Sequence, residues 1–118
     1  PKSGLYFMDT PGHDTEQLTG FAAAGINIVV FTTGRGTPTG SAIMPTIKVA
    51  TNTTMATAIP DLIDLNAGTI AEGVKTLSEV GGELFDLILA VANGQITKAE
   101  RGLHHEFSLS RMYNTVIK

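Results

Sequence analysis

A solid apolar run that empties into a glycine-rich loop constrains this chain more than any other feature. Residues 26–31 are apolar except for Asn27, and they lead into Thr32-Thr-Gly-Arg-Gly-Thr-Pro-Thr-Gly40. A buried strand followed at once by glycine, proline and hydroxyl residues marks where open α/β sheets bind ligands, beyond the carboxyl ends of their strands. Because the run is apolar on both faces, it reads as a central strand of a parallel sheet covered by helices on both sides.

The flanking pattern extends this. Gly4-Leu-Tyr-Phe-Met8 reads as a strand ending in the turn Asp9-Thr-Pro-Gly12. A helix follows, capped by Asp14 with Gln17 three residues on, and closed by Gly25 in the left-handed conformation. Thr46-Ile-Lys-Val-Ala50 alternates and reads as a strand, residues 51–58 as a short helix stopped at Pro60, and Leu62-Ile-Asp-Leu65 as another strand. Thr69 and Glu72 form a capping box for a helix carrying Ile70, Val74, Leu77, Gly81, Leu84, Ile88 and Val91 on one seam, with Gly81-Gly82 as a kink or break. Asn93-Gly94 ends it, Thr97 and Glu100 cap a short helix, and residues 104–109 read as a last strand before a polar tail. The expected architecture is one α/β domain over residues 1–118. It is a Rossmann-like, three-layer arrangement in which a mostly parallel sheet of about five strands has helices on both faces.

Composition excludes several classes. The 118 residues carry a net charge of −3, which argues against a nucleic-acid partner. No cysteine is present, so disulfides and thiolate metal sites are ruled out, as fits a reducing, cytoplasmic setting. No apolar stretch is long enough to span a bilayer, and no secretory signal opens the chain. It begins at Pro1 without methionine, as a piece of a longer protein would. Between Glu16 and Asp61 there is no acidic residue, and Arg35 and Lys48 are the only charges. A glycine-rich, hydroxyl-rich, purely basic span suits a hydroxylated anion; equally, it suits the buried half of a sheet.

Three strand ends carry polar loops: residues 9–14, 32–41 and 66–69. In a parallel sheet they lie along one edge and converge on one crevice. Phosphate motifs do not fit, since Gly34-Arg-Gly36 continues to Thr39 rather than glycine and no lysine follows Gly40. Arg35, between two glycines, is placed to grip a carboxylate with both guanidinium arms, or else is an ordinary turn arginine. Lys48 is either a second cation or, the preferred reading, an edge-strand or snorkelling lysine. His13 is a candidate base or metal ligand, though a lone histidine is more often an ordinary surface residue. His104-His105-Glu106 is a poor metal cluster, because neighbours on a strand point to opposite faces. Asp9 and Asp14 read as turn and cap residues rather than an acid/base pair.

Laid out in this way, the chain resembles the C-terminal part of the altronate/galactarate dehydratase family. The resemblance rests on Gly4-Leu-Tyr-Phe-Met-Asp-Thr-Pro-Gly12, Val30-Phe-Thr-Thr-Gly-Arg-Gly36, Pro45-Thr-Ile-Lys-Val-Ala50 and Asp64-Leu-Asn-Ala-Gly68, in that order, and fades in the tail. The Thr-Thr-Gly-Arg-Gly run is the distinctive one. The family comprises sugar-acid dehydratases and a related sulfolactate-cleaving lyase, several times longer than this chain.

The resemblance implies a hydro-lyase that turns a sugar acid such as galactarate or altronate into a 2-keto-3-deoxy acid, with this chain as its last domain. It implies a substrate-binding set in which Arg35, the amides of Gly34 and Gly36, Thr32 and Thr33 hold the carboxylate. Thr10 and Asn66 meet sugar hydroxyls; from the residues alone, Lys48 is a candidate second cation and His13 a candidate base, but the base, like the metal ligands, is expected outside this chain. A divalent metal, iron in this family, is expected to be held by residues outside this chain. The partners are then the remaining domains of the parent enzyme, with a homo-oligomer compatible, and the isolated domain is expected to be inactive. Two other classes remain: a free-standing module for small anions, and a scaffold for an oligomer interface. The scaffold reading expects Arg35 to be tied to another protein group.

Overall fold

A computed structural model describes residues 3–109. Its centre is a three-stranded parallel sheet in the order β1-β2-β3, with β1 at Val29–Thr33, β2 at Thr46–Ala50 and β3 at Leu65–Asn66. Val29 pairs with Thr46 and Thr33 with Ala50; Val49 pairs with Leu65 and Ala50 with Asn66. Helix α1 (Asp14–Ala23) precedes β1, and α2 (Thr53–Ala58) joins β2 to β3. After β3 come α3 (Gly68–Ala71), α4 (Leu77–Ala92) and α5 (Lys98–Arg101).

β2, not β1, is the central strand, and every residue of it is buried. The expected central strand lies instead at an edge of the described sheet, with Val30 38% exposed. Alternation along β2 sends Ile47 and Val49 to one face, where Val91, Leu84 and Ile88 of α4 cover them. On the other face Val29 packs with Leu18 of α1 and Met44, and Ala50 with Met55 of α2 and Ile63. Helices therefore cover both faces, as expected, over three described strands rather than five.

The two missing strands are corrections. Residues 4–8 form no ladder, and Leu5 and Phe7 are almost wholly exposed. Apolar, β-forming residues make a strand only where an edge is free to pair with them. Residues 104–109 run without a ladder too, tied down by isolated bonds such as Ser108 N–H to Thr19 Oγ1 at 3.1 Å. The polar tail lies outside the described residues.

The helix boundaries follow their caps. α1 has His13 at its N-cap with no side-chain bond, so Asp14 and Gln17 form no box, but Gly25 closes it at φ 84° as expected. The long helix expected from residue 70 is two helices, and the break lies at Gly73 (φ 69°), not at Gly81-Gly82. Thr76 and Glu79 start α4 with a full capping box, Glu79 accepting the Thr76 N–H at 2.7 Å. That bond, first among its causes, holds the Glu79 carboxyl below its ordinary range. Thr69 and Glu72 make no box: Thr69 donates to the Asn66 carbonyl, and Glu72 accepts from Thr53. Thr97 and Glu100 do cap α5.

Two glycines test this packing in opposite directions. A methyl group on Gly68 would overlap the backbone of Asn52 and Thr53, which cannot rotate away. Gly68→Ala is expected to destabilise the protein by about 1–3 kcal/mol. Gly81 is exposed within α4 with nothing near it, so Gly81→Ala is expected to stabilise by about 0.5–1 kcal/mol. Thermal or urea unfolding of the two variants checks both signs.

Candidate functional site

All three strands end on the same side of the sheet, and the loops there are bonded into one shelf. β1 ends at Thr33, whose hydroxyl oxygen accepts the Gly36 N–H at 3.0 Å, closing a tight turn around Gly34 and Arg35. Gly36 takes φ 84°, with Ile59 and Met55 packed where a side chain would stand. After β2, Thr51 donates both its N–H and its hydroxyl to the Thr33 carbonyl. Asn52 gives its amide N–H to the Gly34 carbonyl at 2.7 Å and accepts the Met55 N–H at 2.8 Å, capping α2. After β3, Asn66 donates to Thr53 Oγ1 at 3.0 Å and accepts the Gly68 N–H at 2.9 Å.

The turn bearing Arg35 and the turn bearing Asn66 therefore meet through Asn52 and Thr53. Asn66 directs both ends of its carboxamide to the protein itself. Arg35 does not: its side chain is exposed and, among the described residues, has no hydrogen bond or ion pair. It stands as an uncommitted cation on a shelf whose other polar groups are largely bonded to each other.

The remaining candidates are placed differently. Thr32 and Thr33 point to opposite faces of β1, so their hydroxyls do not share a target. Thr32 lines a shallow groove along the outer edge of β1 with Gln17 and Phe21. Thr10 is half-buried beside Gly20, along the flank of α1. His13 is exposed at the α1 N-cap. No hydrogen bond among the described residues joins either of them to the Arg35 and Asn66 turns.

Lys48 is not an edge lysine and does not reach the shelf surface. It is fully buried on the central strand, and its ammonium donates to the Pro38 carbonyl at 2.6 Å. Burial pushes its pKa below the ordinary value, against the pull of Asp64, Glu106 and Asp14. Two residues that sequence reasoning missed complete the frame. Asp64 accepts the Lys48 N–H at 2.7 Å and the Lys98 N–H at 2.9 Å, joining β2 to α5. Glu106 accepts the Gly40 N–H at 3.2 Å and lies 3.3 Å from His104 Nδ1. Partial burial works against the Glu106 charge, but bonds from backbone amides and His104 outweigh it and hold the carboxyl below its usual range. The signal for Asp64 was an acid set inside the apolar run Leu62-Ile-Asp-Leu65; Glu106 stood out only beside His104 and His105, and nothing local marked its tie to Gly40.

Among the described residues no three histidine or acidic side chains are placed to hold a metal ion, and the shelf, with one free cation, does not suit one. No described helix is long and apolar enough to cross a membrane.

The sequence model of the D-galactarate/altronate dehydratase C-terminal family matches residues 1–115. The chain belongs to this family. It is 46% identical over 110 residues to galactarate dehydratase (L-threo-forming) of Escherichia coli strain K12. It is 42% identical over 106 residues to altronate dehydratase of Bacillus subtilis strain 168. The beta subunit of (2R)-sulfolactate sulfo-lyase from Chromohalobacter salexigens is 35% identical over 112 residues. These alignments take in 92%, 90% and 95% of this chain, but only 21%, 21% and 29% of the relatives.

Two outcomes test the frame. Asn52→Ala removes both the cap and the tie to Gly34 and is expected to cost about 1–2 kcal/mol, while Asn52→Asp keeps the cap and recovers most of it. Lys48 generates a pH dependence. Between its lowered folded value and the ordinary 10.5 the unfolded chain keeps a proton that the folded one has released. Stability contributed at this site therefore rises with pH across that window. Denaturant titrations at several pH values should show that rise in the wild type and lose it in Lys48→Met.

Proposed function

We propose that this chain is the C-terminal domain of a hydro-lyase that dehydrates a sugar acid such as galactarate or altronate to a 2-keto-3-deoxy acid in the cytoplasm, and that it holds the substrate carboxylate. Two observations support the reading. Relatives whose names specify galactarate and altronate dehydratases align over nearly all of this chain. Arg35 is exposed and, among the described residues, has no hydrogen bond or ion pair, so its guanidinium is open to an anion from outside this chain.

Dehydration of a hydroxy acid removes the proton beside the carboxylate and leaves an enediolate. The neighbouring C–O bond then breaks, the hydroxyl departs with a proton as water, and the enol becomes the 2-keto acid. Negative charge on the carboxylate roughly doubles on the way. A guanidinium clamping both oxygens fixes the substrate and offsets that growing charge. In this reading Arg35 does so, with the Gly34 and Gly36 backbone and the Thr33 turn setting its position. A divalent cation, iron, would supply Lewis acidity to this chemistry and would be held by the remaining domains of the parent enzyme. The base is His13 or a residue of those domains. The sulfo-lyase relative fits, if this domain serves the carboxylate rather than the leaving group.

The test is made in the intact protein with galactarate and altronate. Arg35→Ala is expected to lower kcat/KM about a hundredfold or more, and Arg35→Lys to restore only part of it, since an ammonium cannot clamp both oxygens. Wild-type turnover in Arg35→Ala would remove this domain from substrate binding. His13→Ala decides the base: loss of kcat with KM little changed assigns it to His13, and unchanged kcat assigns it elsewhere.

A further inference from the structure

The loop that begins with Gly34-Arg35-Gly36 is fastened at four points. Asn52 holds the Gly34 carbonyl, Thr33 holds the Gly36 amide, and Glu106 holds the Gly40 amide. Those three ties come from the loop's own base or from other loops. The fourth comes from inside the sheet, where Lys48 reaches out of the central strand to the Pro38 carbonyl. Thr37 and Thr39, on either side of Pro38, are buried, and Thr37 Oγ1 bonds Thr39 Oγ1 at 3.0 Å and accepts the Thr39 N–H.

Burying an ammonium is costly, and here no carboxylate lies within 4.0 Å to offset it among the described residues. A shorter neutral donor at position 48 would not span from strand to loop. Lys48 itself, fully buried, is not placed to meet a ligand. Its backbone is clasped as well, the Lys48 carbonyl accepting the Asp64 N–H at 2.9 Å while Asp64 takes the Lys48 N–H. The lysine is therefore anchored by its backbone in the buried centre of the sheet, with its side chain extended to the loop.

We propose that Lys48 is a positioning residue: through Pro38 it locks the loop of residues 34–40 so that Arg35 is presented, pre-ordered, to a carboxylate. This rests on the reading of Arg35 as the carboxylate clamp. A loop ordered beforehand saves the ligand the entropy of ordering it. Loss of the lock therefore shows as weaker substrate binding, rather than as a smaller fraction of folded enzyme.

The experiment is a double-variant cycle in the intact protein, using whichever of galactarate and altronate it turns over. Lys48→Met should fold with a thermal midpoint at or above that of the wild type. It should raise KM about tenfold or more, and in the Arg35→Ala background add less than about threefold, because both changes disable one clamp. Hydrogen exchange should speed up at residues 34–41 and stay unchanged in β2 and α4. If the methionine variant does not accumulate, Lys48→Gln, neutral and too short to reach Pro38, carries the same expectations. A normal KM in the Lys48 variants, with Arg35→Ala impaired, overturns the proposal alone. So do losses that multiply in the double variant, or a fall in kcat with KM intact. Wild-type turnover in Arg35→Ala overturns the carboxylate reading and this proposal with it.

Discussion

Lys48 and Asp64 exchange backbone and side-chain bonds across the boundary between β2 and the start of β3. The Asp64 N–H goes to the Lys48 carbonyl, and the Lys48 N–H goes to the Asp64 carboxylate. A strand buried on both faces has no water to satisfy its polar groups, so each must find a protein partner. β3 is only two residues long, and the aspartate side chain supplies the acceptor that a longer strand would have given. Its second oxygen takes the Lys98 N–H at the start of α5. One carboxylate thus seals the centre of the sheet and sets where α5 lies.

That seal has a consequence at the strand ends. With β2 buried and paired on both sides, Asn52 and Asn66 stand at or just beyond the ends of well-bonded strands, and each bonds a neighbouring segment while closing its own turn. Gly68 presses directly on the Asn52–Thr53 backbone, which only a residue without a side chain allows. The shelf is then nearly saturated, its donors and acceptors matched among themselves. Taking an anion there demands little ordering of the backbone that carries the guanidinium, because that backbone is already bonded in place, so the cost falls on the arginine side chain alone.

Much of this was legible locally. β2 at Thr46–Ala50 and α2 within residues 51–58 were read from alternation and a following proline, and Thr97 with Glu100 from their spacing. The box at Thr76 and Glu79 was equally visible but lay inside a longer apolar seam, which masked the break at Gly73. Errors arose where an outcome depended on distant chain. Residues 4–8 have strand-forming side chains and no ladder to join. The β1 run is apolar enough for a centre but, among the described residues, pairs on one side only, and Glu106 becomes part of the frame because residues 104–109 pass beside Gly40.

By itself the sequence determined the parallel α/β character, the family, and the presence of a lone arginine between two glycines at a strand end. These follow from neighbours along the chain, whose propensities and spacing act over a few residues. Only the tertiary structure decided that Lys48 lies at the centre, sealed and bonded to Pro38, while Arg35 stays open. Burial depends on what packs around a side chain, and for Lys48 the partner that satisfies its ammonium is the Pro38 carbonyl, in the loop between β1 and β2.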